Sequence, residues 1–123
     1  MQNSTSKFKS DITKRAYDFG LNVIRLTDHL PNKRSAWIIT DQLIRSATSI
    51  GANLVEGRAA SSRLEFKRFY EIALKSSNES GYWLKLLKDA GLATDVKVKP
   101  LFDEGTELSR MLAAGVIALK RKF

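Results

Sequence analysis

Residues 62–91 read SRLEFKRFYEIALKSSNESGYWLKLLKDAG. Within this run Phe66, Tyr70, Ala73, Ser77, Ser80, Leu84 and Leu87 recur with spacing 4-3-4-3-4-3. A strand would need every second residue on one face. Only a helix of 3.6 residues per turn gathers this set into one stripe. Ser61 or Ser62 can cap its start, and Glu65 stands three residues after Ser62, as in a capping box. Gly91 supplies the stop. The small residues Ala73, Ser76, Ser77 and Ser80 let a neighbouring helix approach closely.

The same spacing extends outward in both directions. Upstream, residues 33–56 carry Leu43, Ala47, Ile50 and Leu54, with Ile39 and Ile44 alongside. Gly57 reads as the end of that helix, and Gly51, inside it, as a bend or a close helix contact. Residues 11–30 carry Ile12, Ala16, Phe19, Val23, Leu26 and Leu30, with Ser10 as the expected cap and Pro31 as the stop. Downstream, residues 100–122 carry Leu101, Gly105, Leu108, Leu112, Gly115 and Leu119, with Pro100 at the expected first helical position. The connections at 31–32, 57–61 and 91–99 are short, so consecutive helices are antiparallel neighbours. The reading is an all-α protein, an antiparallel up-down-up-down four-helix bundle. Residues 1–10 are expected to fray, and residues 11–123 form a single domain.

Composition agrees with one core. The chain has 123 residues, 43% of them apolar, with only two prolines and seven glycines, too few for the turns of an all-β protein. It has no cysteine, which excludes disulfides and thiolate metal sites and fits a cytoplasmic location. No apolar run approaches the ~20 residues of a membrane span.

The net charge is +8 and the pI near 9.9, a balance that favours polyanions. The bundle topology concentrates it. The start of the first helix, the turn between the second and third, and the end of the fourth share one end. That basic end collects Lys7, Lys9, Lys14, Arg15, Arg58, Arg63, Lys67, Arg68, Lys120, Arg121 and Lys122 against Asp11, Asp18, Glu56 and Glu65, a net +7. The opposite end is neutral: Lys33, Arg34, Lys85, Lys88, Lys97 and Lys99 meet six acids there, Asp103 and Glu104 among them. A patch of this kind binds phosphate backbones by counterion release. Phe8, Phe69, Tyr70 and Phe123 lie near it and could stack on unpaired bases.

Signs of catalysis are sparse. The one histidine, His29, sits where it favours the dipole at a helix C-terminus. There is no Glu-x-x-His pair for a di-iron bundle site, no phosphate-binding loop and no dinucleotide fingerprint. The expectation is a protein without catalytic residues, cofactor or metal. Asn53 and Glu56, beside the second helix's stripe, could hydrogen-bond to the third helix or to another subunit. Trp37, Tyr82 and Trp83 read as core and self-association surface.

Residues 41–57, DQLIRSATSIGANLVEG, carry a further signal. They resemble the signature of the bacterial four-helix-bundle family of ribosomal RNA intervening-sequence proteins, which reads like Q-[IL]-R-R-A-x-x-S-I-P-A-N-I-A-E-G. Gln42, Arg45, Ala47, Ser49, Ile50, Ala52, Asn53, Glu56 and Gly57 match it. Ser62, Glu65, Phe66, Phe69, Ile72, Ala73 and Leu74 are similar to the family's S-x-x-E-F-x-R-F-L-x-I-A, and residues 86–91 to its closing stretch. The resemblance covers residues 11–120. It departs at Gly51, where the family has proline, and at Arg45-Ser46, where the family has an arginine pair.

The resemblance implies an open-bundle protomer that assembles into a ring-like homo-oligomer, a pentamer, with Arg45, Asn53, Glu56 and Gly57 in structural or oligomer roles. Related proteins are accessory factors of diversity-generating retroelements, which bind a reverse transcriptase and nucleic acid. The functional expectation is a homo-oligomeric accessory protein that contacts RNA or DNA backbones. The alternative is a protein–protein adaptor or scaffold, for example for a reverse transcriptase.

Overall fold

The computed structural model describes residues 4–121, with side chains from residue 12 onward. Four helices account for almost all of it: α1 (Ser4–Thr27), α2 (Arg34–Gly57), α3 (Arg63–Asp89) and α4 (Asp95–Lys120). Contact is heaviest between α2 and α3 and between α3 and α4, and thinnest between α1 and α4. Among the described residues no close backbone approach joins the diagonal pairs α1 and α3 or α2 and α4. The helices therefore form a closed ring of antiparallel neighbours, the expected up-down-up-down bundle. Phe19, Val23, Leu43, Ile50, Leu84, Leu87, Leu108 and Leu112 fill the centre, all but sealed from solvent.

The helix ends follow side-chain chemistry. Ser62 caps α3, its hydroxyl accepting the Glu65 N–H at 3.0 Å. The Glu65 carboxylate reaches back to Ser61 rather than Ser62, accepting from its hydroxyl at 3.2 Å. Ser62→Ala should therefore cost about 1 kcal/mol, read as a lowered urea midpoint with unchanged m-value. At the other end of α3, Gly91 takes φ +74°, the left-handed region that glycine enters freely. Leu92 N–H donates to Leu87 C=O at 2.9 Å and Gly91 N–H to Lys88 C=O at 3.0 Å. This is a Schellman motif, and buried Leu92 completes its apolar contact.

Three boundary expectations are corrected. α4 starts at Asp95, not at Pro100: Thr94 caps it by accepting from Lys97 N–H, and Pro100 lies inside the helix. The bond Pro100 cannot make would go to the carbonyl of Val96, a residue 83% exposed, where water can take its place. α1 passes through Ser10, whose side chain lies outside the described residues. It ends at Thr27, before Pro31, in tight turns such as His29 N–H to Leu26 C=O at 3.0 Å.

Glycines and serines set the helix spacings. A Cβ at Gly51 would lie 3.6 Å from the backbone nitrogen of Tyr17, and one at Gly20 3.6 Å from the carbonyl oxygen of Ala47. Gly51 thus marks a close α1–α2 contact in an unbroken helix. At Gly115 the added atom would lie 2.6 Å from the Tyr70 ring. These distances predict opposite outcomes. Gly51→Ala should stabilise by up to ~1 kcal/mol through helix propensity. Gly115→Ala should lose that gain to a displaced ring, for which overpacking costs about 1–3 kcal/mol. Thermal melts of the two variants should move in opposite directions.

Ser46 and Ser80 bring their hydroxyls within 3.0 Å across α2 and α3. Ser76 donates to Ser49 across the same seam at 3.0 Å. Ser77 meets Ser109 of α4 at 2.7 Å. Small polar side chains thus let α3 approach both neighbours, as the stripe anticipates, and each hydroxyl finds a partner. No buried side-chain polar atom among the described residues lacks one.

Candidate nucleic-acid interface

The antiparallel order carries the end of α2, the start of α3 and the end of α4 to one end of the bundle. Gly57, the last residue of α2, is buried there with negative φ. It serves packing rather than a left-handed cap: a Cβ on it would lie 3.2 Å from that of Phe69 and 3.5 Å from the Phe66 ring. Arg58 follows at once and is exposed, as are Arg68, Lys120 and Arg121. None of these four forms an ion pair among the described residues.

The remaining cations assigned to this end behave differently. Lys67 is only 15% exposed in its side chain and lies 3.7 Å from Glu71. Lys14 pairs with Asp18 at 3.1 Å while staying in solvent. Arg63, at the first position of α3, is exposed but engaged by a neighbour. Arg15 turns into the α1–α4 seam. Its Nε and Nη2 donate to both Glu104 oxygens at 2.9 and 2.6 Å, with each side chain 32% exposed. A bidentate pair of this kind holds two helices together and leaves little charge for a polyanion. Glu104, 89 positions away, was assigned by sequence to the neutral end. Lys122, Lys7 and Lys9 fall outside the described side chains.

At the opposite end several cations are held by acids. Lys85 meets Asp89 at 2.8 Å, Lys99 meets Asp103 at 3.0 Å, and Lys88 lies 3.8 Å from Asp95. The Lys85 hydrogen bond is the main reason the Asp89 carboxyl titrates below its ordinary range. The Asp103 hydrogen bond likewise raises the Lys99 ammonium.

Part of the signature, Arg45, Ser49 and Asn53, bonds toward α3, while Ala52 and Glu56 border the α1 side. Asn53 Nδ2 donates to the Ser49 carbonyl at 2.8 Å and to its hydroxyl at 2.9 Å, and that hydroxyl accepts from Ser76. Asn53 thus reaches α3 through Ser49. Arg45 donates to Gln42 at 2.5 Å and lies 3.9 Å from Glu79 of α3. Glu79 also accepts from the Trp83 indole at 2.9 Å. Glu56 is exposed, with no ion pair among the described residues. Tyr82 and Trp37 are exposed too, and Tyr82 packs edge-on against Trp83 at 4.9 Å.

One surface escaped the sequence reading. Tyr17, Leu21 and Ile24 of α1 and Ala52 and Val55 of α2 line an open apolar groove of about 750 Å³. Tyr17 stands 68% exposed on its wall. Its signal was the set of apolar residues at 17, 21 and 24, which flank the core stripe.

Among the described residues, no group of His, Cys, Asp or Glu could hold a metal ion. No helix there is long and apolar enough to cross a membrane.

No curated protein matches this chain by sequence. A solved structure from Bacteroides thetaiotaomicron, described as a protein of unknown function from the S23 ribosomal protein family, superposes with a TM-score of 0.80. It is 31% identical, over 85% of this chain and 97% of that one. The family model described as 23S rRNA-intervening sequence protein matches residues 9–114, which include all of α2 and α3. With four helices, the signature on α2 and that match over most of its length, the chain belongs to the 23S rRNA-intervening sequence protein family.

Proposed function

We propose that this chain is a non-enzymatic, cytoplasmic accessory protein that binds RNA or DNA backbones through the basic end of the bundle and acts as a homo-oligomer. The observation that carries the reading is the contrast between the two ends. Arg58, Arg68, Lys120 and Arg121 stand exposed without carboxylate partners among the described residues; at the other end Lys85, Lys88 and Lys99 are paired, and the exposed Lys33, Arg34 and Lys97 share that end with the exposed acids Asp28 and Asp41. An unpaired guanidinium is free to displace the counterions of a phosphate backbone. The α1–α2 groove supports self-association, since an open apolar surface with exposed Tyr17, Ile24 and Val55 favours a protein partner. In a ring of subunits, the basic ends would sum to one strongly positive face.

The same groove favours the second reading, an adaptor for another protein such as a reverse transcriptase. Size-exclusion chromatography with light scattering separates the two. An oligomer whose mass rises with a short structured RNA at low salt, and falls back at moderate salt, is the expected result. A monomer that ignores RNA would remove both the assembly and the polyanion surface.

A further inference from the structure

A second cavity, of about 350 Å³, opens at the basic end between α1, the close of α2 and the first turns of α3. Phe66 and Tyr70 line it, one turn apart on α3, with ring centroids 5.1 Å apart and planes inclined by 50°. Gly57, Ala60 and Thr13 also border it, and Arg58 stands on its wall. The volume falls within the ~300–1,000 Å³ of small-molecule pockets. Burial raises the pKa of the Tyr70 hydroxyl, so it stays protonated and able to donate.

These features select among ligands. Aromatic rings suit a flat, π-bearing group, and every nucleobase presents such a face. Arg58, exposed and without an ion pair among the described residues, suits an anion beside that group. A purely apolar ligand would leave Arg58 unused, and an acidic peptide would leave the rings unused. A base inside a duplex is stacked on both faces and cannot enter. We propose that this cavity receives one unpaired base of single-stranded RNA or DNA, with Arg58 on an adjoining phosphate. The inference rests on the reading of the basic end as a polyanion surface, and it adds that the end prefers single strands.

The test compares a labelled single-stranded RNA, a single-stranded DNA of the same sequence and the corresponding duplex, by fluorescence anisotropy at low salt. The full chain should bind the single strands more tightly than the duplex. Ala60→Leu fills the cavity while keeping both rings. It should weaken single-strand binding by about tenfold, as expected for one lost base stack, and leave duplex binding within about twofold. A base analogue that dims on stacking should dim with the parent chain and not with Ala60→Leu. A halogenated uracil photocrosslinked to the unmodified chain should attach at Phe66 or Tyr70, which covers the case in which the variant fails to fold. Preference for either RNA or DNA supports the cavity, the first adding a contact to the 2′-hydroxyl. Equal binding of strand and duplex, equal losses for both in the variant, or crosslinks elsewhere would overturn the cavity alone. Failure to bind any of the three would overturn the basic-end reading, and the cavity with it.

Discussion

Phe19→Ala is expected to destabilise the bundle by about 3–5 kcal/mol. Phe19 is 1% exposed, and its ring edge lies 3.4 Å from where a Cβ would stand on Gly105. It therefore spans the seam between α1 and α4, the thinnest in the molecule. Truncation to alanine removes a whole sealed ring and leaves a void at that seam. By the usual relation of stability to melting temperature, the loss should lower Tm by more than ~10 °C in a chain of this size. Tyr17, two residues earlier and largely in solvent, supplies the control. Tyr17→Ala should stay within about 0.5 kcal/mol in a monomer. Similar melts for the two variants would mean that α1 is not anchored through Phe19.

Replacing Arg58, Arg68, Lys120 and Arg121 together with glutamate should reduce nucleic-acid affinity by at least ~10³-fold at low salt, leaving no measurable complex. Four phosphate contacts give the parent chain a slope of log affinity against log salt of roughly −3 to −4. The variant should lose both the affinity and that slope. Helicity should survive, because these side chains are exposed and form no ion pairs among the described residues. Filter binding across a salt series, with circular dichroism on the same samples, makes the measurement. The matching reversal of Lys85, Lys88 and Lys99 should change affinity far less, since those charges already face acids. Unchanged binding in the first variant would sink the assignment.

Much of the architecture was legible because helical periodicity is local. The α3 stripe named Ala73, Ser77, Ser80, Leu84 and Leu87, and all five are buried. Short connections then left one plausible order for the helices. The start of α4 was misplaced because Pro100 is a strong local signal, while Thr94 followed by Asp95 is a weaker cap signal six residues earlier. Pairing across the fold was not legible at all. Nothing near Arg15 in the chain announces Glu104, and only tertiary geometry removes that arginine from the cationic surface. The groove beside Tyr17 was missed for a related reason. Leu21 and Ile24 look like a broadened core stripe until the neighbouring helix is in place and leaves them uncovered.

The hydroxyl pairs along α3 bear on how the bundle finds a single arrangement. Leucine against leucine is tolerant. If α3 slid along its axis by one turn, ~5.4 Å, apolar side chains would still meet apolar side chains in kind. Ser46–Ser80, Ser49–Ser76 and Ser77–Ser109 would not survive that slip. Ser77 is 1% exposed and bonds Gly105 C=O and Ser109, both on α4, so a slip would strand it at a cost of about 1–3 kcal/mol. Ser46 and Ser80 would keep a carbonyl of their own helices and lose the bond between them. These contacts add little net attraction in the correct alignment and weigh against the misaligned ones. They act as a vernier: the leucines bring the helices together, and the serines select the notch at which they stop.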